Sequence, residues 1–261
     1  MTDTSSLTAQ SHQLLALHTA PTLLKLVNVW DAISARVVSE VPGVTALATA
    51  SHSIAAAFGY EDGEYIPVDL MIEAIGTVVS ATELPVTADL EAGYGNPGET
   101  TRMAIQVGAV GANLEDQMKP LPEAVAAVEA VLAAGQAEGI DFVLNARTDA
   151  FVKAGDRPHA DVLADAIERG KAYLAAGAPV VFVPGKVSED DIVAFVDAWG
   201  PQKLTLIGAP GAVPLARMEE LGVARVSYGP FSQSVALMAL QDLATEVIGG
   251  GSLPENFRVL N

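Results

Sequence analysis

Short apolar runs and helical patterns take turns along the whole chain, and this alternation most restricts what it can fold into. The runs cover residues 23–29, 44–49, 85–88, 110–114, 142–146, 179–183, 204–207 and 223–227. They are continuous rather than alternating, as in parallel strands buried on both faces. A stretch with helical spacing follows each of them. Asp31 and Ser188 read as helix N-caps, and Pro67, Pro97 and Pro122 as helix starts. Eight such units of roughly thirty residues, with no linker or composition break, predict one (β/α)8 barrel of the TIM type over residues 1–261. A doubly wound open sheet is the alternative. Residues 5–20 predict a short N-terminal helix closing the barrel floor. Residues 51–65, polar and glycine-containing, read as one long loop, and such loops concentrate function.

Composition narrows the chemistry. Half of the residues are hydrophobic, enough for a large core of small aliphatic side chains. A formal charge of −18 argues against nucleic-acid backbones or anionic membranes as partners. An anionic substrate would therefore need a local positive centre, either a metal ion or an arginine. The absence of cysteine removes disulfides, thiolate metal sites and thiol catalysis. With no signal-like segment at the start and no apolar run of spanning length, a cytoplasmic protein is expected.

Three clusters close successive apolar runs: Asp89-Leu90-Glu91 with Gly93 and Gly95, then Asn113-Leu114-Glu115-Asp116, then Asn145-Ala146-Arg147-Thr148-Asp149. Asp89 and Glu91 are two apart, so in an extended segment they point the same way. Glu115 ends the neighbouring strand, about 5 Å away, so its carboxylate can converge with theirs. An all-oxygen set of this kind favours Mg²⁺, with Mn²⁺ as the alternative, over zinc. The competing reading is that the acids cap the following helices. Arg147 at a barrel mouth suits bidentate binding of a substrate carboxylate, or else an ion pair with Asp149 or Glu115.

Together these segments resemble the isocitrate lyase and phosphoenolpyruvate mutase superfamily. The resemblance rests on Asp-x-Glu-x-Gly-Tyr-Gly-Asn from Asp89, Leu-Glu-Asp-Gln from Leu114 and Ala-Arg-Thr-Asp-Ala from Ala146. Asn28-Val29-Trp30-Asp31 and Phe58-Gly59-Tyr60-Glu61-Asp62-Gly63 are also similar to it, and the matches run in order over nearly the whole chain. Closest in kind is the short phosphonomutase-like branch. The resemblance implies a Mg²⁺-dependent barrel acting on a small anionic 2-oxo acid or enolpyruvate. Asp89 would bind the metal, joined directly or through water by Glu91, Glu115 and Asp62. Arg147, Ser51, Ser53 and Trp30 would hold the substrate. The family's oligomers imply a homo-oligomer here, a dimer or tetramer, with the last helix packed on a neighbouring subunit.

The departures carry as much information. Family lyases have a mobile loop with a Lys-Lys-Cys-Gly-His-like motif after the Glu-Asp segment, whereas here Gln117 runs through Met118-Lys119-Pro120 almost directly into the next helix. The mutase-type loop is missing too. What survives is stabilisation of an enolate, with a proton from water or His52, whose imidazole titrates near neutral pH; Arg147, Glu115 and His52 are the expected catalytic residues. A C–C lyase or decarboxylase is therefore expected. The alternatives are a phosphoenolpyruvate or phosphonopyruvate mutase, whose fragment must be kept from water, and a non-catalytic 2-oxo acid binding protein. Lys186, near the end of the sixth run, offers a Schiff-base reading that leaves the acids unexplained.

Overall fold

A computed structural model of the chain describes residues 4–255 together with Arg258 and Leu260. All strands are parallel. They are β1 (Leu24–Leu26), β2 (Asn28–Val29), β3 (Leu47–Thr49), β4 (Val86–Asp89), β5 (Gly111–Glu115), β6 (Val143–Arg147), β7 (Val180–Val183), β8 (Leu204–Ile207) and β9 (Arg225–Ser227). Their order around the sheet is β1-β9-β8-β7-β6-β5-β4-β3-β2. β1 and β2 are two pieces of one strand interrupted at Val27: the first half pairs with β9 and the second with β3. The expected first strand is thus split, and the split strand brings the two ends of the sheet together as a (β/α)8 barrel.

Helices alternate with the strands: α1 (Thr4–Thr19), α2 (Ala32–Ser39), α3 (Ser51–Ala57), α4 (Val68–Val79), α5 (Pro97–Gln106), α6 (Leu121–Ala137), α7 (His159–Ala175), α8 (Glu189–Trp199), α9 (Leu215–Glu220) and α10 (Phe231–Ile248). Local chemistry fixes several starts. Asp31 and Ser188 each complete a capping box, and Asn96 caps α5 ahead of Pro97. Without such partners, the free N–H groups of a helix start would be left to water.

One expectation needs correction. Residues 51–65 are not a single loop, because Ser51–Ala57 forms α3. Ile54 and Ala55 are buried and anchor it, while its cap position, Ala50, makes no side-chain bond. Two serines and a histidine at its start conceal the helix from a pattern-based reading.

α1 lies under the barrel. At Gly111, which opens β5, a Cβ would sit 2.6 Å from the Val143 carbonyl oxygen and 2.8 Å from the Leu14 side chain. Only glycine lets Leu14 of α1 press against the strand from below. The upper, C-terminal ends of the strands are left for chemistry, as in barrel enzymes generally.

Candidate active site

β4, β5 and β6 end on Asp89, Glu115 and Arg147. Register sets Glu115 opposite Arg147 and Asp89 opposite Asn113. Residues two apart on a strand share a face, so Asn113 and Glu115 point the same way, as do Asn145 and Arg147. The three charged side chains therefore gather at one mouth.

Arg147 is held by two acids. Its Nη1 lies 2.8 Å from Glu115 Oε2, and its Nε donates to Asp149 Oδ1 at 2.7 Å. Asp149 is fully buried, with Lys153 Nζ 3.5 Å from its other oxygen. Burial opposes the charge of Arg147, but Glu115 and Asp149 outweigh it and leave the guanidinium more basic than usual. Burial pushes the Glu115 carboxyl up to about 7, although Arg147 pulls the other way.

Asp89 faces α3. Its Oδ2 accepts from the Ser51 backbone N–H at 3.1 Å and lies 2.9 Å from the Ser51 hydroxyl. That hydroxyl is also 3.3 Å from Asp62 Oδ1, and Asp62 Oδ2 lies 3.6 Å from His52 Nδ1. His52 and Asp62 are about half exposed at the rim. The helical form of α3 separates the two serines, since positions two apart differ by about 200° around a helix. Ser53 is fully buried with its hydroxyl unpartnered, and its carbonyl accepts from Gln233 of α10. Trp30 follows β2 at the mouth, half-buried against the core.

Glu91 lies in an interlock with the loop after α3. Its carboxylate accepts from the Tyr94 hydroxyl at 2.9 Å and from the Glu64 backbone N–H. Glu64 in turn accepts from the Tyr94 backbone N–H at 2.5 Å. All three residues have left-handed backbones, with φ of 51° at Glu91, 51° at Tyr94 and 66° at Glu64. Each such conformation costs on the order of 1–3 kcal/mol unless its surroundings enforce it, and here the mutual bonds do. Burial raises the Glu91 carboxyl to about 7; the Tyr94 bond opposes this, while Asp89 and Asp62 add to it.

The four acids expected to share a metal do not converge. Among the described residues no three His, Asp or Glu side chains are disposed around one metal position. The backbone turn at Glu91 commits both its oxygens to Tyr94 and Glu64, and Arg147 engages Glu115. Asp89 and Asp62 remain, approaching each other across Ser51. That donor set still fits a hard divalent cation, because Mg²⁺ usually takes one or two carboxylates and keeps several waters.

Where family lyases carry a lid, this chain has a pinned turn. Gln117 and Met118 are both left-handed, with φ of 49° and 58°. Asp116, buried beneath, accepts from the backbone N–H groups of Met118 and Asp149. It also accepts from Tyr173 Oη at 2.7 Å and pairs with Arg169 Nη1 at 3.2 Å. A cavity of 320 Å³ opens beside this turn, lined by Glu115, Arg147, Gly95 and α6 residues, with Asp89 outside it. Lys186 is exposed on the loop after β7.

The sequence reading gave no role to Glu64 or to the lumen residues Asn113, Asn145 and Arg225, although both asparagines stand in its clusters. Asn113 and Asn145 stand two positions before Glu115 and Arg147 in otherwise apolar strands, which marks them as sharing the functional face. Glu64, an ordinary acid in a polar stretch, gave no signal.

Comparison with known proteins identifies the family. The family model described as phosphoenolpyruvate phosphomutase matches residues 14–248. The solved structure of a phosphonomutase-like protein from Burkholderia cenocepacia J2315 is 42% identical, covers 90% of this chain and 99% of its own, and superposes with a TM-score of 0.85. Oxaloacetate decarboxylase from Paraburkholderia xenovorans is 28% identical over 94% of this chain and 84% of its own length. 2,3-Dimethylmalate lyase from Eubacterium barkeri is likewise 28% identical, over 82% and 78%. With matches running from α1 to α10, the chain belongs to the phosphoenolpyruvate phosphomutase family, within the phosphoenolpyruvate mutase and isocitrate lyase superfamily.

Proposed function

We propose that the protein is a Mg²⁺-dependent C–C lyase or decarboxylase acting on a small 2-oxo acid. The observation that carries this reading is the side-by-side placing of two unlike centres at one mouth. Asp89 and Asp62 can hold a hydrated divalent cation, and Arg147 on a neighbouring strand end can take a carboxylate. Bound there, the cation would stabilise negative charge developing on the 2-oxo oxygen.

The chain's own residues do the rest. Arg147 receives the substrate carboxylate in place of Glu115, which orients the scissile bond over the strand ends. When that bond breaks, its electron pair passes to the 2-oxo oxygen, and the departing fragment leaves as CO₂ or, once its hydroxyl has given up its proton to solvent, as a carbonyl compound. The carbon that keeps the pair then needs one proton. Glu115, its carboxyl pushed up to about 7 by burial, carries a proton in part of the molecules at neutral pH and can donate it. His52 and solvent reach the same rim.

The pinned turn at Gln117-Met118 favours this over mutase chemistry, because it leaves the mouth open to water. Relatives named as an oxaloacetate decarboxylase and a dimethylmalate lyase support the same choice. The rival of a binding protein without turnover rests on the loss of the lyase lid, with the short Gln117-Met118 turn in its place.

The test is a panel of oxaloacetate, substituted malates, phosphonopyruvate and phosphoenolpyruvate with Mg²⁺, read by NMR for product and by calorimetry for binding. Pyruvate release abolished by EDTA supports the lyase. Interconversion of the two phosphorus compounds would establish a mutase instead, and binding without product a receptor.

The same reading includes self-association. Of the described α10 residues only Gln233 is buried, whereas Val235, Leu237, Met238 and Leu240 are 55–67% exposed. A helix apolar on several sides needs cover beyond one stripe. A second copy of the chain is the proposed occupant, forming a dimer or tetramer.

A further inference from the structure

Arg225 is the largest fully buried side chain in the molecule. It opens β9, where its register partners are Leu24 and Thr205. From there it crosses the barrel: Nη2 lies 3.3 Å from Asn113 Oδ1 on β5, the far side of the ring. Asn113 also accepts from Asn145 at 2.8 Å, and Asn145 accepts from Thr205 at 2.7 Å. This polar layer lies one step below the mouth, and Asn113 is the register partner of Asp89.

The guanidinium is poorly compensated within its own layer. Nε and Nη1 have no hydrogen-bond partner among the described residues, and Nη2 meets a neutral amide. An uncompensated buried charge is expensive, and arginine does not readily shed its proton. Burial draws Arg225 down to about 10, and the favourable charge that opposes this is Asp89. His18 of α1 feels the same charge. It donates Nδ1–H to the Leu14 carbonyl at 2.8 Å, and burial and Arg225 hold it neutral, at about 3.

We propose that Arg225 is a positioning residue that acts through Asp89, adding a counter-charge from inside the barrel to the one Arg147 supplies at the mouth. It moderates the pull of Asp89 on a cation and makes the mouth more hospitable to an anionic substrate. The cation part rests on the metal-dependent reading above; the pairing of the two charges does not.

Two measurements separate these parts. Thermal unfolding in EDTA would compare wild type, Asp89→Asn, Arg225→Met and the double variant. Asp89→Asn relieves repulsion with Asp62 and Glu91 but also weakens the bonds that Asp89 accepts from Ser51, so the double-mutant cycle, not the single loss, isolates the pairing. The proposal expects the double variant to lose less than the sum of the single losses, by about 3 °C or more in Tm. Additive losses would overturn it. If Arg225→Met does not fold, Arg225→Gln takes its place in the cycle and is read by the same non-additivity.

Calorimetry with Mg²⁺ alone at pH 8 is the second measurement. Arg225→Met should bind the cation about tenfold tighter or more, whereas Arg225→Lys, which keeps the charge, should stay within about threefold of wild type. Weaker or unchanged binding in Arg225→Met means a packing role and overturns the proposal. No Mg²⁺ binding in wild type would defeat the metal-dependent reading, and the unfolding cycle would still decide the pairing.

Discussion

Glu115 and Arg147 are register partners on β5 and β6, and their side chains meet at 2.8 Å. Neighbouring strands stand about 5 Å apart, so backbone pairing rather than side-chain chance sets this contact. The guanidinium is aimed before any ligand arrives. Under the proposed function, a substrate carboxylate would exchange with Glu115 and would not have to order a free side chain, which lowers the entropy cost of binding.

Removing that cation tests the substrate site directly. Arg147→Ala should weaken 2-oxo acid binding by about 2–5 kcal/mol in calorimetry. It should also lower Tm, since Glu115 and the buried Asp149 lose their partner. Arg147→Lys keeps the charge but not the fork and should fall between the two. Wild-type affinity in Arg147→Ala would exclude it from substrate binding.

The Glu91 interlock predicts a pH dependence in metal-free protein. Its carboxyl is raised from an ordinary 4.5 to about 7 by burial, so between those values the folded state holds more protons than the unfolded one. Its contribution to stability is complete below about 4.5 and is lost as pH rises through 7. Glu91→Gln stays neutral, so its stability relative to wild type should rise across that window. Urea midpoints in EDTA at pH 4.5, 6 and 7.5 would show it, and a constant difference would contradict it.

The turn that replaces the lid depends on Asp116. Arg169→Met leaves that buried carboxylate without its ion pair and should cost about 3–5 kcal/mol. Tyr173→Phe removes one bond to it and should cost about 1–3 kcal/mol. Denaturant unfolding measures both. Losses under 1 kcal/mol in each would mean that the turn holds by other contacts.

For α10, Leu237→Glu with Leu240→Glu should convert an oligomer to a monomer in size-exclusion chromatography with light scattering. Both residues are more than half exposed within one chain, so the fold of the barrel itself should survive. A monomeric wild type would refute self-association.

Much of this architecture was legible in the sequence. Continuous apolar runs gave the barrel strands because a strand covered on both faces leaves no polar alternation. Asp31 and Ser188 marked helix starts through side-chain chemistry that acts within four residues. The positions of Asp89, Glu115 and Arg147 followed, since each ends such a run. α3 was hidden by its polar first turn, although Ile54 and Ala55 bury its inner face.

The sequence by itself determined the fold class, the strand ends and the kinds of charge gathered at the mouth, because these follow from local periodicity and residue chemistry. Only the tertiary structure decided which charges meet. Glu91 turns to Tyr94 and Glu64, Glu115 to Arg147, and Arg225 reaches Asn113, 112 residues away. Such pairings depend on strand register and ring closure, which set distances across the barrel that no stretch of sequence encodes locally.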